Sequence, residues 1–136
     1  MNPELKLVIF EEKNILQDLL ELLDKQYQAI LSKEIIQLEK ITGHIESVGK
    51  KLAAAEIKRR KLINEDDFKG IIENCNDDHV KNVYEEIKSI LNSLELQKST
   101  NDTLIKQKLF FTNNMINVIR PSKTVGTYNS YGKVGR

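Results

Sequence analysis

Proline, the residue that most strongly breaks helices, is confined to the two edges of this sequence. The chain has 136 residues, and its two prolines are Pro3 and Pro121. Between them, apolar residues recur at spacings of three and four, which place them on one face of an α-helix, and no segment alternates as a strand does. The sequence therefore predicts an all-α protein with the length of a single domain.

Three long helices are predicted over about 4–31, 33–63 and 77–98, with a short helical turn at 65–74 between the last two. Candidate N-caps are Ser32 for the second helix, Asn64 for the short turn and Asn76–Asp78 for the third helix. The second helix has the most regular pattern, a heptad seam of alternating three- and four-residue spacings: Leu38, Ile41, Ile45, Val48, Leu52, Ala55, Arg59 and Leu62.

Arg59 interrupts this seam, so the packing is expected to loosen towards that end of the helix. Two heptad helices with a short connector favour an antiparallel hairpin, and the first helix has an apolar face wide enough to meet two neighbours. The predicted architecture of residues 1–98 is an elongated, antiparallel, coiled-coil-like bundle of three helices.

The last third of the chain is different in character. A polar stretch, Glu95–Thr103, separates the predicted bundle from an amphipathic helix within 99–120, whose apolar part is Leu104–Ile119. Residues 121–136 form a basic tail with three glycines, and this tail is expected to be flexible. From Leu96 onward Asp102 is the only acidic residue, against seven lysines and arginines.

The C-terminal helix is marginal by itself. Burial of an apolar side chain contributes roughly 1.5–3 kcal/mol, while ordering each residue of the backbone costs about 1–2 kcal/mol, and about half of the segment is apolar. The helix therefore needs another surface. Because the apolar stripe fades for about two turns before it, a partner is favoured over the alternative that the helix runs on and packs within the molecule or in a dimer.

Composition excludes several classes of function. The net charge of +1 gives no bulk attraction to nucleic acid or membrane, and Cys75, which is the only cysteine, cannot form an intramolecular disulfide. With no signal peptide and no apolar stretch long enough to span a bilayer, the chain is expected to be cytoplasmic.

No catalytic or cofactor site is predicted. Cys75, Asp77, Asp78 and His79 are too close along one capping turn to surround a metal ion, and the sequence has no glycine-rich phosphate loop or nucleophile elbow. Six cations between Lys50 and Lys61 lack an aromatic stacking platform, so they are interpreted as a charged helix surface that pairs with the acidic connector rather than as a nucleic-acid site.

With these residues in view, the chain resembles the FlgN family of flagellar export chaperones over nearly its whole length. The resemblance rests on the leucine-rich first helix (Leu16–Leu23), the second helix with its Glu56–Arg60 ending, and the Asn101-x-x-Leu104-Ile105 pattern. Its most specific part is Thr127-Tyr128-x-x-Tyr131-Gly132, which follows the amphipathic helix.

The resemblance implies a cytosolic chaperone that binds the C-terminal helical segments of hook-associated proteins (FlgK and FlgL), keeps them unpolymerised and delivers them to the flagellar type III export apparatus. It places partner binding in the C-terminal region, for which we expect these residues to be used: Leu104, Ile105, Leu109, Phe111, Met115, Ile116, Ile119, Tyr128 and Tyr131. The alternative is a structural coiled-coil protein that self-associates and has no transient client. A weaker third class is a nucleic-acid adaptor.

Overall fold

The protein is all-helical wherever its structure is described. The computed structural model describes the backbone of residues 1–119 and the side chains of 1–64 and 66–108. These residues contain four helices and no strand: α1 (Pro3–Ser32), α2 (Ile35–Leu62), α3 (Glu65–Asn74) and α4 (Asp78–Ile119). The predicted all-α class is thus confirmed for this part of the chain. Two compact units are present, a first unit of Met1–Gln97 and a second unit of Lys98–Arg136.

Local chemistry explains where α1 begins and ends. The Asn2 side chain accepts a hydrogen bond from the Glu4 amide at 2.8 Å, and Pro3 opens the helix, one residue before the predicted start. At the other end Lys33 has a left-handed conformation with φ of 59°. The Lys33 amide donates to the Ile30 carbonyl and the Glu34 amide to the Ala29 carbonyl, which is a Schellman motif. Ser32, predicted to cap the second helix, is instead the last residue of α1.

The polar stretch Glu95–Thr103 is helical. Two helices were predicted over 77–98 and 99–120, but α4 runs from Asp78 to Ile119 without a break. The short turn predicted at 65–74 is a ten-residue helix, α3. The tail predicted at 121–136 lies outside the described residues.

Two apolar clusters form the core of the first unit, and α1 contributes to both. One joins the start of α1 to α3 and the start of α4 through Leu5, Ile9, Ile72, Val80 and Val83. The other joins Leu16 and Leu23 of α1 to Leu94 of α4, and Ile45 and Leu52 of α2 pack against it. The wide apolar face predicted for the first helix therefore meets α3 and α4 in one cluster and α2 and α4 in the other.

Ion pairs give the relative directions of the helices in the first unit. Lys6 and Lys13 of α1 contact Asp77 and Glu86, so α1 and the first part of α4 run the same way. Glu12 of α1 contacts Arg59 near the end of α2, so α2 runs in the opposite direction to α1.

Asp77 connects the starts of α1 and α4. Its Oδ1 accepts hydrogen bonds from the amides of His79 (3.0 Å) and Val80 (3.3 Å), which caps α4 as predicted. Its Oδ2 accepts one from the Lys6 ammonium at 2.6 Å. The hydrogen bond from Lys6, assisted by those from Val80 and His79, lowers the pKa of the Asp77 carboxyl from its ordinary value of 3.8.

None of the helices within the described residues is both long enough and apolar enough to cross a membrane.

The lowered pKa makes the contribution of Asp77 to stability depend on pH. That contribution is fully present above the ordinary pKa of about 4 and is lost as the pH falls through the lower pKa of the folded state. We expect the free energy of unfolding of the wild type to fall more steeply below about pH 4 than that of Asp77→Asn, and the two curves to converge in acid. Urea unfolding between pH 2 and 7 measures both. Asp78→Asn removes the same charge one residue later and is expected to keep the wild-type slope.

Candidate partner-binding surfaces

The second unit contains the segment predicted to bind a partner, and its described side chains end at Lys108. Leu104 and Ile105 are half-buried, whereas Thr103, Lys106 and Gln107 are exposed. Lys98 lies 3.9 Å from Asp102, at the i,i+4 spacing of a helical pair. The most buried side chain of this segment is the polar Asn101, at 0% exposed, and with the half-buried Leu104, Ile105 and Lys108 it follows the i, i+3, i+4, i+7 spacing of one helix face.

The other predicted partner-binding residues fall beyond the described side chains. The backbone of α4 extends to Ile119, so five of these residues belong to a helix whose side chains are not described there: Leu109, Phe111, Met115, Ile116 and Ile119. Tyr128 and Tyr131 lie outside the described residues altogether. The assignment of all nine residues to partner binding stays a prediction.

The first unit contains a buried ion pair that was not predicted from the sequence. Glu12 and Arg59 form an ion pair with 3.1 Å between Oε1 and Nε, although only 8% of Glu12 and 9% of Arg59 are exposed. The Arg59 guanidinium also lies 4.9 Å from the centre of the Phe68 ring, a cation–π distance. The two charges are tolerated between apolar helices because they pair with each other and because the Phe68 ring covers the Arg59 guanidinium.

This ion pair and Phe68 line a cavity of about 220 Å³, which we call the α2–α4 groove. Its walls are formed by Leu52 and Glu56 of α2 and by Tyr84, Ile87, Lys88 and Leu91 of α4. Ile9 and Leu16 of α1 also line it, and these two are buried while the wall residues are partly or largely exposed. The floor of the groove is therefore α1. The loosening expected at the Arg59 end of the seam stays a prediction, and Arg59 itself is buried.

Two signals in the sequence point towards this site. Arg59 occupies a position of the α2 seam, and Glu12 occupies the corresponding kind of position on α1, between Ile9 and Leu16 at helical spacing. Opposite charges on two apolar seams indicate a buried pair when the helices are antiparallel. The groove itself has no sequence signal, since it depends on how far apart α2 and α4 lie over α1.

The remaining candidates are ordinary surface groups. Cys75 is half-buried with its Sγ 3.7 Å from the Asp77 carbonyl oxygen, and His79 stacks near Phe10. No three His, Cys, Asp or Glu residues within the described part of the chain are arranged to hold a metal ion. In the basic cluster, Lys58 contacts Glu11 at 3.9 Å and Arg60 contacts Glu56 at 3.7 Å, so these two cations pair with α1 and α2.

Comparison with known proteins identifies one family. The family model described as FlgN protein matches residues 1–136, the full length of the chain. No curated protein and no solved structure matches.

The buried ion pair generates a prediction about stability. We expect Glu12→Ala to lower the free energy of unfolding by about 3–5 kcal/mol, because the Arg59 charge would stay buried without its carboxylate. Glu11→Ala removes the neighbouring carboxylate, whose pairing with Lys58 is long and exposed, and is expected to change stability by less than about 1 kcal/mol. Urea unfolding of both variants decides the point, and equal losses would show that the Glu12 pair contributes no more than a surface pair.

Proposed function

Because this chain belongs to the FlgN family of flagellar export chaperones, we propose that it binds the C-terminal helical segments of hook-associated proteins of the FlgK and FlgL type. It holds these clients unpolymerised and delivers them to the flagellar type III export apparatus. A chaperone family agrees with the expectation that the chain has no catalytic site.

One observation carries the placement of the client site. The helical backbone of α4 continues past the first unit, from Lys98 to Ile119, and its sequence concentrates apolar residues on one broad side. The two members of that side whose side chains are described, Leu104 and Ile105, are half-buried, which leaves part of their apolar surface accessible. An amphipathic helix with accessible apolar residues supports recognition of a second helix by helix-to-helix packing.

The chemistry of such binding needs no cofactor or nucleotide. Client helices that later pack against one another in a filament would bury the same apolar residues against the chaperone first. If the segment from Lys98 onward gains order on binding, part of the interaction free energy is used for that ordering, which weakens net affinity and permits release at the export apparatus.

A division of labour is proposed within the second unit. The amphipathic helix binds the client, and the basic tail of residues 121–136 contacts the export machinery. Tyr128 and Tyr131 are the only large side chains in this tail, and tyrosine combines apolar area with a hydroxyl group that suits an interface.

The client site is tested with single charge substitutions in the full-length chain. Ile116→Asp puts a carboxylate on the apolar side of the helix and is expected to weaken binding of a hook-associated C-terminal peptide at least tenfold, about 1.4 kcal/mol. Asn117→Asp places the same charge one residue later on the polar side and is expected to stay within twofold. Calorimetric titration gives both affinities, and circular dichroism checks that helix content is preserved.

Three outcomes separate the candidate functions. Binding lost only in Ile116→Asp supports the chaperone with its site in α4, whereas binding equal in both variants moves the client site elsewhere. If the wild type does not bind and its mass in solution is that of a stable homo-oligomer, the structural coiled coil replaces the chaperone.

The tail is tested by export rather than by affinity. Tyr128→Ala combined with Tyr131→Ala is expected to leave client affinity within twofold and to reduce secretion of hook-associated protein into the medium several-fold. Asn129→Ala with Ser130→Ala alters the two intervening residues and is expected to leave secretion unchanged. Loss of client affinity in the tyrosine variant would contradict the division of labour.

A further inference from the structure

A second cavity of the first unit, about 330 Å³ in volume, lies between α1 and α2, and we call it the α1–α2 cleft. Leu22 of α1 and Val48 of α2 line it and are half-buried. One heptad away along the same two helices, Ile15 and Ala55 are buried. The seam between α1 and α2 is therefore less covered at the cleft than beside it.

The charged side chains of the cleft are largely separated by sign. Asp18 and Glu21 lie on the α1 side, and Lys51 lies on the α2 side together with His44, while Lys25 on α1 is the exception. All five residues are exposed. Within the described part of the chain none of them forms an ion pair or a side-chain hydrogen bond, so these groups are available to a partner. A polyanion such as nucleic acid would meet the two carboxylates here.

The contact between Glu11 and Lys58 shows which residues of the two helices are level with each other. These two side chains lie 3.9 Å apart across α1 and α2. Because the helices are antiparallel, seven residues forward on α1 correspond to seven residues back on α2, and Asp18 is therefore level with Lys51. An acidic row on α1 thus runs beside a basic row on α2, and the cleft opens where Asp18 and Lys51 do not pair.

A second copy of the chain complements both rows at once. If two copies are related by a two-fold axis parallel to the helices, α1 of each lies over α2 of the other, at the same level and antiparallel to it. Each Asp18 then faces the partner subunit's Lys51. A two-fold axis across the helices would instead place acidic row on acidic row, which is repulsive. The charges thus favour the first arrangement, a bundle of four helices in which all neighbours are antiparallel.

The face that contains the cleft is large enough for a dimer interface. α1 has 30 residues and α2 has 28, so each is about 42–45 Å long, and two adjacent helices of about 10 Å diameter present a face about 20 Å wide. Such a face covers about 800 Å², which is what each partner contributes to a stable interface of standard size. Leu7, four residues before Glu11 on this face, is 68% exposed and adds apolar area to that of Leu22 and Val48.

We propose that this face of α1 and α2 binds a second copy of the chain, with the α1–α2 cleft at the centre of the interface. Asp18 of each subunit pairs with the partner subunit's Lys51, and Leu22 and Val48 of the two subunits form the apolar centre. The inference goes beyond the proposed function and does not rest on it, because the proposed client site belongs to the second unit.

Charge reversal in the full-length chain tests the interface. Asp18→Lys and Lys51→Glu each place like charges opposite each other at both copies of the pair, and each is expected to raise the dissociation constant of the dimer at least tenfold. Asp24→Lys and Lys50→Glu make the same changes at exposed residues that do not line the cleft, and are expected to stay within twofold. Sedimentation equilibrium measures the dissociation constants, and circular dichroism verifies that helix content is preserved.

A mixture of the two reversed chains provides the sharpest test. When labelled Asp18→Lys is mixed with Lys51→Glu, each heterodimer has one wild-type pair and one pair with its charges exchanged, and both pairs are attractive. The mixture is therefore expected to form heterodimers with an affinity within about threefold of that of the wild type. Asp18→Lys mixed with Lys50→Glu has the same net charges but keeps one repulsive pair, and is expected to stay weak.

Three results would overturn the inference. If the wild type stays monomeric up to roughly 0.1 mM chain, no such interface forms. If a dimer forms and the two reversals change its dissociation constant no more than the two controls do, the interface lies elsewhere. If the mixture of Asp18→Lys with Lys51→Glu recovers no more than the mixture with Lys50→Glu, the effect is one of net charge. A dimer that shows the rescue supports the inference whether or not it binds a client peptide, so a failure of the proposed function is recognised separately.

Discussion

The structure of the first unit depends on the double use of α1. A surface helix normally buries one apolar stripe, but α1 buries residues in two clusters, Leu5 and Ile9 with α3 and α4, and Leu16 and Leu23 with α2 and α4. Each of these side chains contributes about 1.5–3 kcal/mol by leaving water. Since α2 and α4 both pack on α1, their positions are set by α1, and the space left between them becomes the α2–α4 groove.

Glu12 and Arg59 lie where the two clusters meet. A buried ion pair adds little net stability, because removal of two charges from water costs nearly as much as their attraction returns. The pair does disfavour other registers of α2 against α1, because a shift of α2 by one turn would leave both charges buried and separated from each other. Polar residues at seam positions fix register in coiled coils for this reason. We interpret the pair, with Phe68 over it, as the group that sets the register of α1 against α2.

Much of the fold could be predicted from sequence because local chemistry determines it. The start of α1 at Pro3, the cap formed by Asp77 and the all-helical class follow from short-range signals and apolar spacing. The boundary at Ser32 was wrong because the chain ends α1 with Lys33 in a left-handed conformation, which glycine usually adopts and lysine rarely does. The predicted break at Glu95–Thr103 failed because loss of an apolar stripe does not by itself end a helix. The segment begins with the good helix formers of 95–98, and the five weaker formers that follow include no glycine or proline.

The two candidate sites also differ in whether local sequence signals reveal them. An amphipathic segment is visible in sequence, because apolar spacing within one helix is local, and so the residues from Leu104 to Ile119 could be proposed without a structure. The groove could not be predicted, since it is a gap between helices from three parts of the chain. Only the seam positions of Glu12 and Arg59 pointed towards this region.

The proposed client site is a helix that is marginal when alone, because the burial of its apolar residues and the ordering of its backbone nearly offset each other. If this helix gains order when it binds a client, part of the interaction free energy is used for that ordering, and the net affinity is moderate. Under the proposed function, such a site releases its client when another surface competes for the same apolar residues, while the core formed on α1 stays folded.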